Sequence, residues 1–280
     1  MKPSISLIIA FYNDILWLEM ILEQLKMQTF KNFEVVIADD GSKAEVVQRI
    51  KQIKDAYPFP IQHIWHEDLG WRKDIILNKA VVASQADYIL IIDGDCIPHR
   101  KFLQDHWDFK QEGTISAGRR VTLPKKISDS LTVEKISNKI LSHITLRILW
   151  AGIVKEVRHT ENIIRIRPIW LRKMFLKQRT HGLLGCNFGI YKSDILKVNG
   201  FDERYLAPAT GEDTDLEARL NRIGIRAHVH KHVMTQFHKN HPLLMNRWEA
   251  DNEKILQYNK DNNISFTPWG IDKSSLTDSQ

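Results

Sequence analysis

Four times in its first 110 or so residues the chain runs from a short, β-rich apolar stretch into polar residues and then into a segment of helical periodicity. The apolar stretches are "SISLIIAFYN", "FEVVIADDGS", "IQHIWHED" and "DYILIIDGD". Between the first two lies "ILWLEMILEQLKMQ", with Ile15, Leu18, Leu22 and Leu25 at helical spacing. A helix is predicted from about Ala44 to Asp55, with Val46, Ile50 and Ile53 on one face, and others in "RKDIILNKAVVAS" and "RKFLQDHWDFKQ". Such alternation specifies right-handed βαβ units and an α/β fold, a mostly parallel sheet flanked by helices. Ligands of open parallel sheets sit beyond the carboxyl ends of the strands. Here those ends read Tyr12-Asn13, Asp39-Asp40, His66-Glu67-Asp68 and Asp93-Gly94-Asp95. Turn chemistry alone does not account for polar groups at the same end of every strand.

Farther along, "TISAGRRVTL" reads as one strand, and "GEDTDLEARLNRIG" as a helix with Leu216, Leu220 and Ile223 on a face and Gly224 as its C-cap. His228, His230 and His232 read as one face of a strand, and the tail after Thr267 as a flexible polar end. Between Arg119 and His181 stand 15 basic and 4 acidic residues, a surplus of +11 within a chain of net charge +6. One or two helices are expected there. The surplus points to a solvated helical face or to a surface for anionic partners.

Other features limit the class. The chain has 280 residues, 43% hydrophobic and 26% charged, as an ordinary globular protein has. Cys96 and Cys186 make no disulfide framework and fit a reducing compartment. The apolar N-terminal run is too short to span a membrane, and "ITLRILWAGIV" contains Arg147. A cytoplasmic protein, at most peripheral on a membrane, is expected. Phosphate-binding glycine loops, a serine-nucleophile elbow and zinc spacings are missing from the sequence.

The candidate chemistry is acidic. Asp93 and Asp95, two residues apart across a glycine, suit a hard cation such as Mn²⁺ or Mg²⁺, although D-x-D alone also serves turns. Asp39 and Asp40 can accept hydrogen bonds from a base or a ribose, or cap the next helix. Glu212, Asp213 and Asp215 suit the positive end of a helix, and a carboxylate there, beside the open space that Gly211 would leave, is a candidate general base. His238 is a candidate further ligand to a cation held by Asp95.

Taken in order, "PSISLIIAFYN", "QTFKNFEVVIADDGS", "LGWRKDIILNKAV", "YILIIDGDCIPH", "LLGCNFGIYKSDILKVNGFDE" and "GEDTDLEARL" resemble the family 2 glycosyltransferases of GT-A fold, in particular bacterial members with a galactosyltransferase-like C-terminal half. The resemblance covers most of residues 3–241 and leaves roughly 125–180 without a counterpart. It implies that Pro3, Ala10, Tyr12 and Asp40 hold a uridine, with Asp39 beside them and Arg72 assisting. It implies Asp93 near the ribose and metal, Asp95 as direct metal ligand, and His238 completing the metal shell, with His241 as the rival. It implies Asp213 as the catalytic base, and Glu212 and Asn187 as acceptor contacts.

The expected activity is an inverting, Mn²⁺- or Mg²⁺-dependent transfer from a UDP-sugar to a glycan or lipid-linked acceptor, in bacterial surface polysaccharide or lipopolysaccharide synthesis. The expected division is a nucleotide-sugar-binding half over 1–120, a basic helical insertion over 121–181, an acceptor half over 182–266 and a flexible tail over 267–280. Residues 119–181 are expected to meet an anionic membrane surface. A sugar-phosphate nucleotidyltransferase is the runner-up, disfavoured by the missing glycine-rich signature. A nucleic-acid-binding protein is disfavoured because the cations alternate with Ile, Leu and Trp at helical spacing.

Overall fold

The structure, a computed structural model, describes residues 2–154, 157, 160–168, 170, 182–207, 211–242 and 249–274. Its centre is a seven-stranded sheet. Strands β1 (Ile5–Phe11), β2 (Phe33–Asp39), β3 (Ile61–Trp65) and β4 (Tyr88–Asp93) run parallel in the order β3-β2-β1-β4. Helices α1 (Ile15–Lys26), α2 (Ala44–Ile53) and α3 (Lys73–Ala83) connect them. The expected second helix thus ends at Ile53 and passes into a 3₁₀ turn.

β1 is apolar almost throughout because both of its faces are covered. Ile5, Leu7 and Ile9 face the core beneath α1 and α2, while Ile8 faces the core beneath α3. Its one polar interior residue, Ser6, donates to Glu34 at 2.5 Å, so the buried hydroxyl is paired.

Beyond β4 the sheet continues with β8 (Asn187–Tyr191), antiparallel, then β6 (Thr114–Ala117) and β9 (Arg226–Val229). The two expected halves of the chain therefore share one sheet. A second sheet pairs β5 (Cys96–Pro98) with β10 (Thr235–His238) and β10 with β7 (Arg119–Thr122). "TISAGRRVTL" is consequently two strands in two sheets, parted at Gly118. A Cβ there would lie 2.3 Å from the Met234 carbonyl oxygen and 2.5 Å from the Asn187 amide, so only glycine lets the chain turn at that point.

Among its described residues the basic segment forms four short helices where one or two were expected, α5 (Lys125–Ser130), α6 (Val133–Ser137), α7 (Ile140–His143) and α8 (Thr145–Ile153); residues 171–181 of it lie outside the described residues. Ile127, Ile136, Leu141, Ile144 and Ile148 bury into the α1 side of the core. The three alternating histidines do not share a strand. β9 ends at Val229, and His232 takes a left-handed φ of 64° while its Nδ1 lies 3.0 Å from the Ile164 carbonyl.

Helix α9 (Lys192–Leu196) follows β8, and α10 (Glu212–Arg222) ends as expected, Gly224 taking φ 87° and donating to the Asn221 carbonyl. A last helix, α11, spans Glu249–Asp261. The start of the expected flexible tail is fastened. Thr267 is buried and donates to Asp202, Asn199 donates to the carbonyls of Thr267 and Asp272, and the Arg204 guanidinium lies 3.5 Å over the Trp269 ring. Residues 275–280 lie outside the described residues.

Candidate active site

Parallel register brings the strand ends together. Phe11 lies opposite Asp39 on β2, and Ala10 lies opposite Asp93 on β4. Tyr12, Asp40 and Asp93 therefore border one crevice. Pro3 does not. It precedes the other end of β1, and at roughly 3.3 Å per residue it stands about 25 Å from the crevice.

The loops around the crevice are fixed by their own polar groups. Asp39 is buried, accepting from the Ser42 N–H at 2.8 Å and sitting 2.8 Å from His63 Nε2. It locks the turn after β2 and presents nothing to the crevice, contrary to the expected nucleotide contact. Asp40 is the half-buried member of the pair. It meets His66 Nε2 at 2.7 Å and accepts from Arg72 at 2.9 Å, by the main-chain N–H rather than the guanidinium. Burial pushes the Asp40 carboxyl up, only partly offset by those bonds. Tyr12 donates its hydroxyl to Asp68 at 2.9 Å.

The two acids of Asp93-Gly94-Asp95 part company. Gly94 donates to the Ala10 carbonyl at 2.7 Å, and a Cβ on it would meet that oxygen at 2.9 Å. The turn thus lies tight against β1. Asp93 faces Lys73, whose ammonium is 2.9 Å from it and 3.0 Å from Glu212. Burial would lower the Lys73 pKa, but the two carboxylates outweigh it and hold the amine well above its ordinary value. Lys73, the first residue of α3, thus joins the end of β4 to the first turn of α10, a role missed in the sequence. Asp93, expected as a metal ligand, is here paired with that ammonium.

Asp95 faces two imidazoles. One of its oxygens lies 3.2 Å from His238 Nε2 and 3.0 Å from His241 Nε2, and the other accepts from Cys96 Sγ at 3.2 Å. The pairing of β10 with β5 sets His238 opposite Cys96, one residue past Asp95, and so brings the histidine in. Burial would raise the Asp95 carboxyl, but the hydrogen bonds from both histidines prevail and hold it well below the usual range. The bond to Asp95 raises His241. Donor atoms of Asp95, His238 and His241 all lie within 4.8 Å of one another, and His238 Nδ1 is buried without a partner among the described residues. One carboxylate and two imidazoles fit a divalent cation, leaving positions for a ligand. Arg120, on β7, is a further charge the sequence did not single out. Burial would lower its pKa, but Cys186, Cys96, Asp93 and Asp95 keep it raised.

Asp213 lies in the first turn of α10, where its oxygens accept from the main-chain N–H groups of Gly185 at 3.0 Å and Thr214 at 2.8 Å. Gly211 leaves no room for a ligand as expected: a Cβ there would be 2.4 Å from the Tyr205 ring, and φ is 121°. Asn187 is not an accessible acceptor contact. It is fully buried, donating to the carbonyls of Arg119 and Met234 with His106 Nε2 3.2 Å from its oxygen, and so binds the two sheets together.

A mostly parallel sheet with an acidic crevice at its strand ends, extended by antiparallel β8, is the GT-A glycosyltransferase fold, and solved structures agree. The mannosyltransferase PcManGT from Pyrobaculum calidifontis, in complex with GDP-Man and Mn²⁺, superposes with a TM-score of 0.59 at 15% identity, over 94% of this chain and 65% of that one. Residues 1–349 of TarS from S. aureus, in complex with UDP-GlcNAc, give 0.55 at 16% identity, over 95% of this chain and 74% of that one. Residues 6–190 match the model of glycosyl transferase family 2, and residues 167–242 that described as the N-terminal domain of galactosyltransferase.

The chain belongs to glycosyl transferase family 2 and is by class a transferase. Chondroitin synthase from Escherichia coli is 24% identical over 239 residues, 79% of this chain and 32% of that protein. An uncharacterized glycosyltransferase from Haemophilus influenzae is 34% identical over 91 residues, 32% of this chain and 29% of that protein. The chain spans about a third or less of the length of these relatives.

Proposed function

We propose that this chain moves a sugar from a UDP-sugar to a hydroxyl of a glycan or lipid-linked acceptor, with inversion at the anomeric carbon. The product belongs in this reading to a bacterial surface polysaccharide or lipopolysaccharide, made at the cytoplasmic side of the membrane. The observation that carries the reading is the Asp95–His238–His241 group beside the acids of the β1, β2 and β4 ends. The printed names of relatives lend it support: one makes chondroitin, and one fold neighbour holds UDP-GlcNAc.

In this reading Asp40 accepts a hydrogen bond from the base, Ala10 and Tyr12 border the nucleoside, and Asp93 lies by the ribose with Lys73 behind it. Asp95, His238 and His241 hold the divalent ion, and two nitrogen donors favour Mn²⁺ over Mg²⁺. When bound, that ion neutralises charge on the diphosphate as a Lewis acid. Arg120 adds positive charge on the same side. Asp213 takes the proton of the acceptor hydroxyl while its oxygen bonds to the anomeric carbon and the bond to UDP breaks. Residues 1–120 serve the donor and 182–266 the acceptor, with Glu212 positioned through Lys73.

The test is release of nucleoside diphosphate from a panel of UDP-sugars and GDP-mannose in the presence of Mn²⁺. Turnover of one UDP-sugar supports the reading. Turnover of GDP-mannose alone replaces the nucleotide, and release of pyrophosphate from a nucleoside triphosphate replaces the reaction.

A further inference from the structure

Helix α8 is apolar on two opposite sides. Ile148 and Ala151 are buried against the rest of the protein, as is Ile144 just before the helix. Outward stand Leu146 at 79% exposure, Trp150 at 65%, Ile153 at 71% and, just past the helix, Val154 at 54%. Their spacing of four, three and one residues aligns them in a single stripe. The outer face of a surface helix is ordinarily polar, and a contiguous exposed apolar stripe marks a contact surface.

We propose that this stripe is a membrane-docking surface, laid flat in the headgroup–acyl boundary of an anionic bilayer. Charge selects the occupant. From residue 139 to residue 154 the chain carries Lys139, His143 and Arg147 and not one Asp or Glu. All three side chains are exposed, and among the described residues neither Lys139 nor Arg147 has an acidic partner. They lie within the segment of 15 basic and 4 acidic residues. Apolar side chains with a tryptophan, set among cations and with no acid between residues 139 and 154, match a negatively charged interface. A second copy of the chain would set the same cations against each other, and nucleic acid offers nothing to the aliphatic stripe. The helix cannot cross: nine residues extend about 14 Å, and no helix among the described residues is long and apolar enough to span.

The surface deepens the reading above, on which it rests for its purpose: a lipid-linked acceptor would be met there. The experiment keeps the two apart. The full chain is sedimented with phosphatidylcholine vesicles, with and without phosphatidylglycerol, and UDP binding with Mn²⁺ is measured on each variant. Binding should require phosphatidylglycerol and fall at least about tenfold in Leu146→Ser/Trp150→Ser/Ile153→Ser. It should weaken in Arg147→Glu, with UDP binding unchanged throughout. Brominated lipid should quench wild-type fluorescence more than that of Trp150→Phe. Equal sedimentation of wild type and triple variant, sedimentation of neither, or a dimer that the triple variant dissolves would overturn the proposal. Loss of UDP binding by the wild type itself would strike only at the transfer reading.

Discussion

Two acidic clusters meet at the crevice, one at the end of β4 and one in the first turn of α10, and each divides its acids in the same way. Asp93 and Glu212 both pair with the Lys73 ammonium. The acids left over differ. Asp95 faces two imidazoles, whereas Asp213 accepts from main-chain N–H groups of Gly185 and Thr214. The first environment gathers three donor groups within 4.8 Å of one another, a set that fits a divalent cation. The second fixes a carboxylate in place through main-chain donors. Acids of one type and similar spacing thus acquire different work from what the fold sets opposite them.

The largest effect should come from separating the two. Asp213→Asn keeps the side chain's size but removes the base, and its NH₂ cannot accept from one of the two main-chain N–H groups, so kcat should fall roughly 10²–10⁴-fold with UDP affinity unchanged in a binding titration. Full activity would remove Asp213 from the chemistry.

Lys73→Met tests the link. It leaves two largely buried carboxylates facing one another without a cation, and should cost about 3 kcal/mol in urea unfolding, with donor affinity also reduced. A stable, active variant would show that the two clusters are independent.

Gly118→Ala tests the seam between the sheets. The added Cβ meets Asn187 and the Met234 carbonyl, and a loss of about 1–3 kcal/mol is expected.

The smallest effect concerns Asp74, next to the link. Both of its oxygens are buried without hydrogen-bond partners among the described residues, and burial raises its pKa well above the ordinary 3.8. The folded protein holds that proton more tightly than the unfolded chain. Stability therefore falls as pH rises from 3.8 toward the raised folded value. Asp74→Asn should flatten that slope and gain about 1 kcal/mol at neutral pH, measured by unfolding at several pH values. An unchanged slope would show that Asp74 ionises freely.

Legibility followed the range of the interactions. The βα units were readable because periodicity is local, and the strand-end acids because parallel strands deliver their ends to one edge. Pro3 was misplaced by treating a motif residue as near the crevice when a strand's length separates them. Asp39 and Asn187 were polar residues at strand ends, but alternation along a strand turns neighbours to opposite sides, and both are buried. Gly211 was read as open space when its missing Cβ accommodates the Tyr205 ring. Lys73, and the presence of both His238 and His241, depended on contacts across some 140 positions of the chain, which no local pattern encodes.

The most direct test of the account is calorimetric titration of UDP into the protein with Mn²⁺, repeated with a chelator and with Asp95→Ala. The account predicts binding that needs the metal and is lost in the variant. Binding of equal strength with chelator, or in Asp95→Ala, would contradict the assignment of Asp95, His238 and His241 as the cation site.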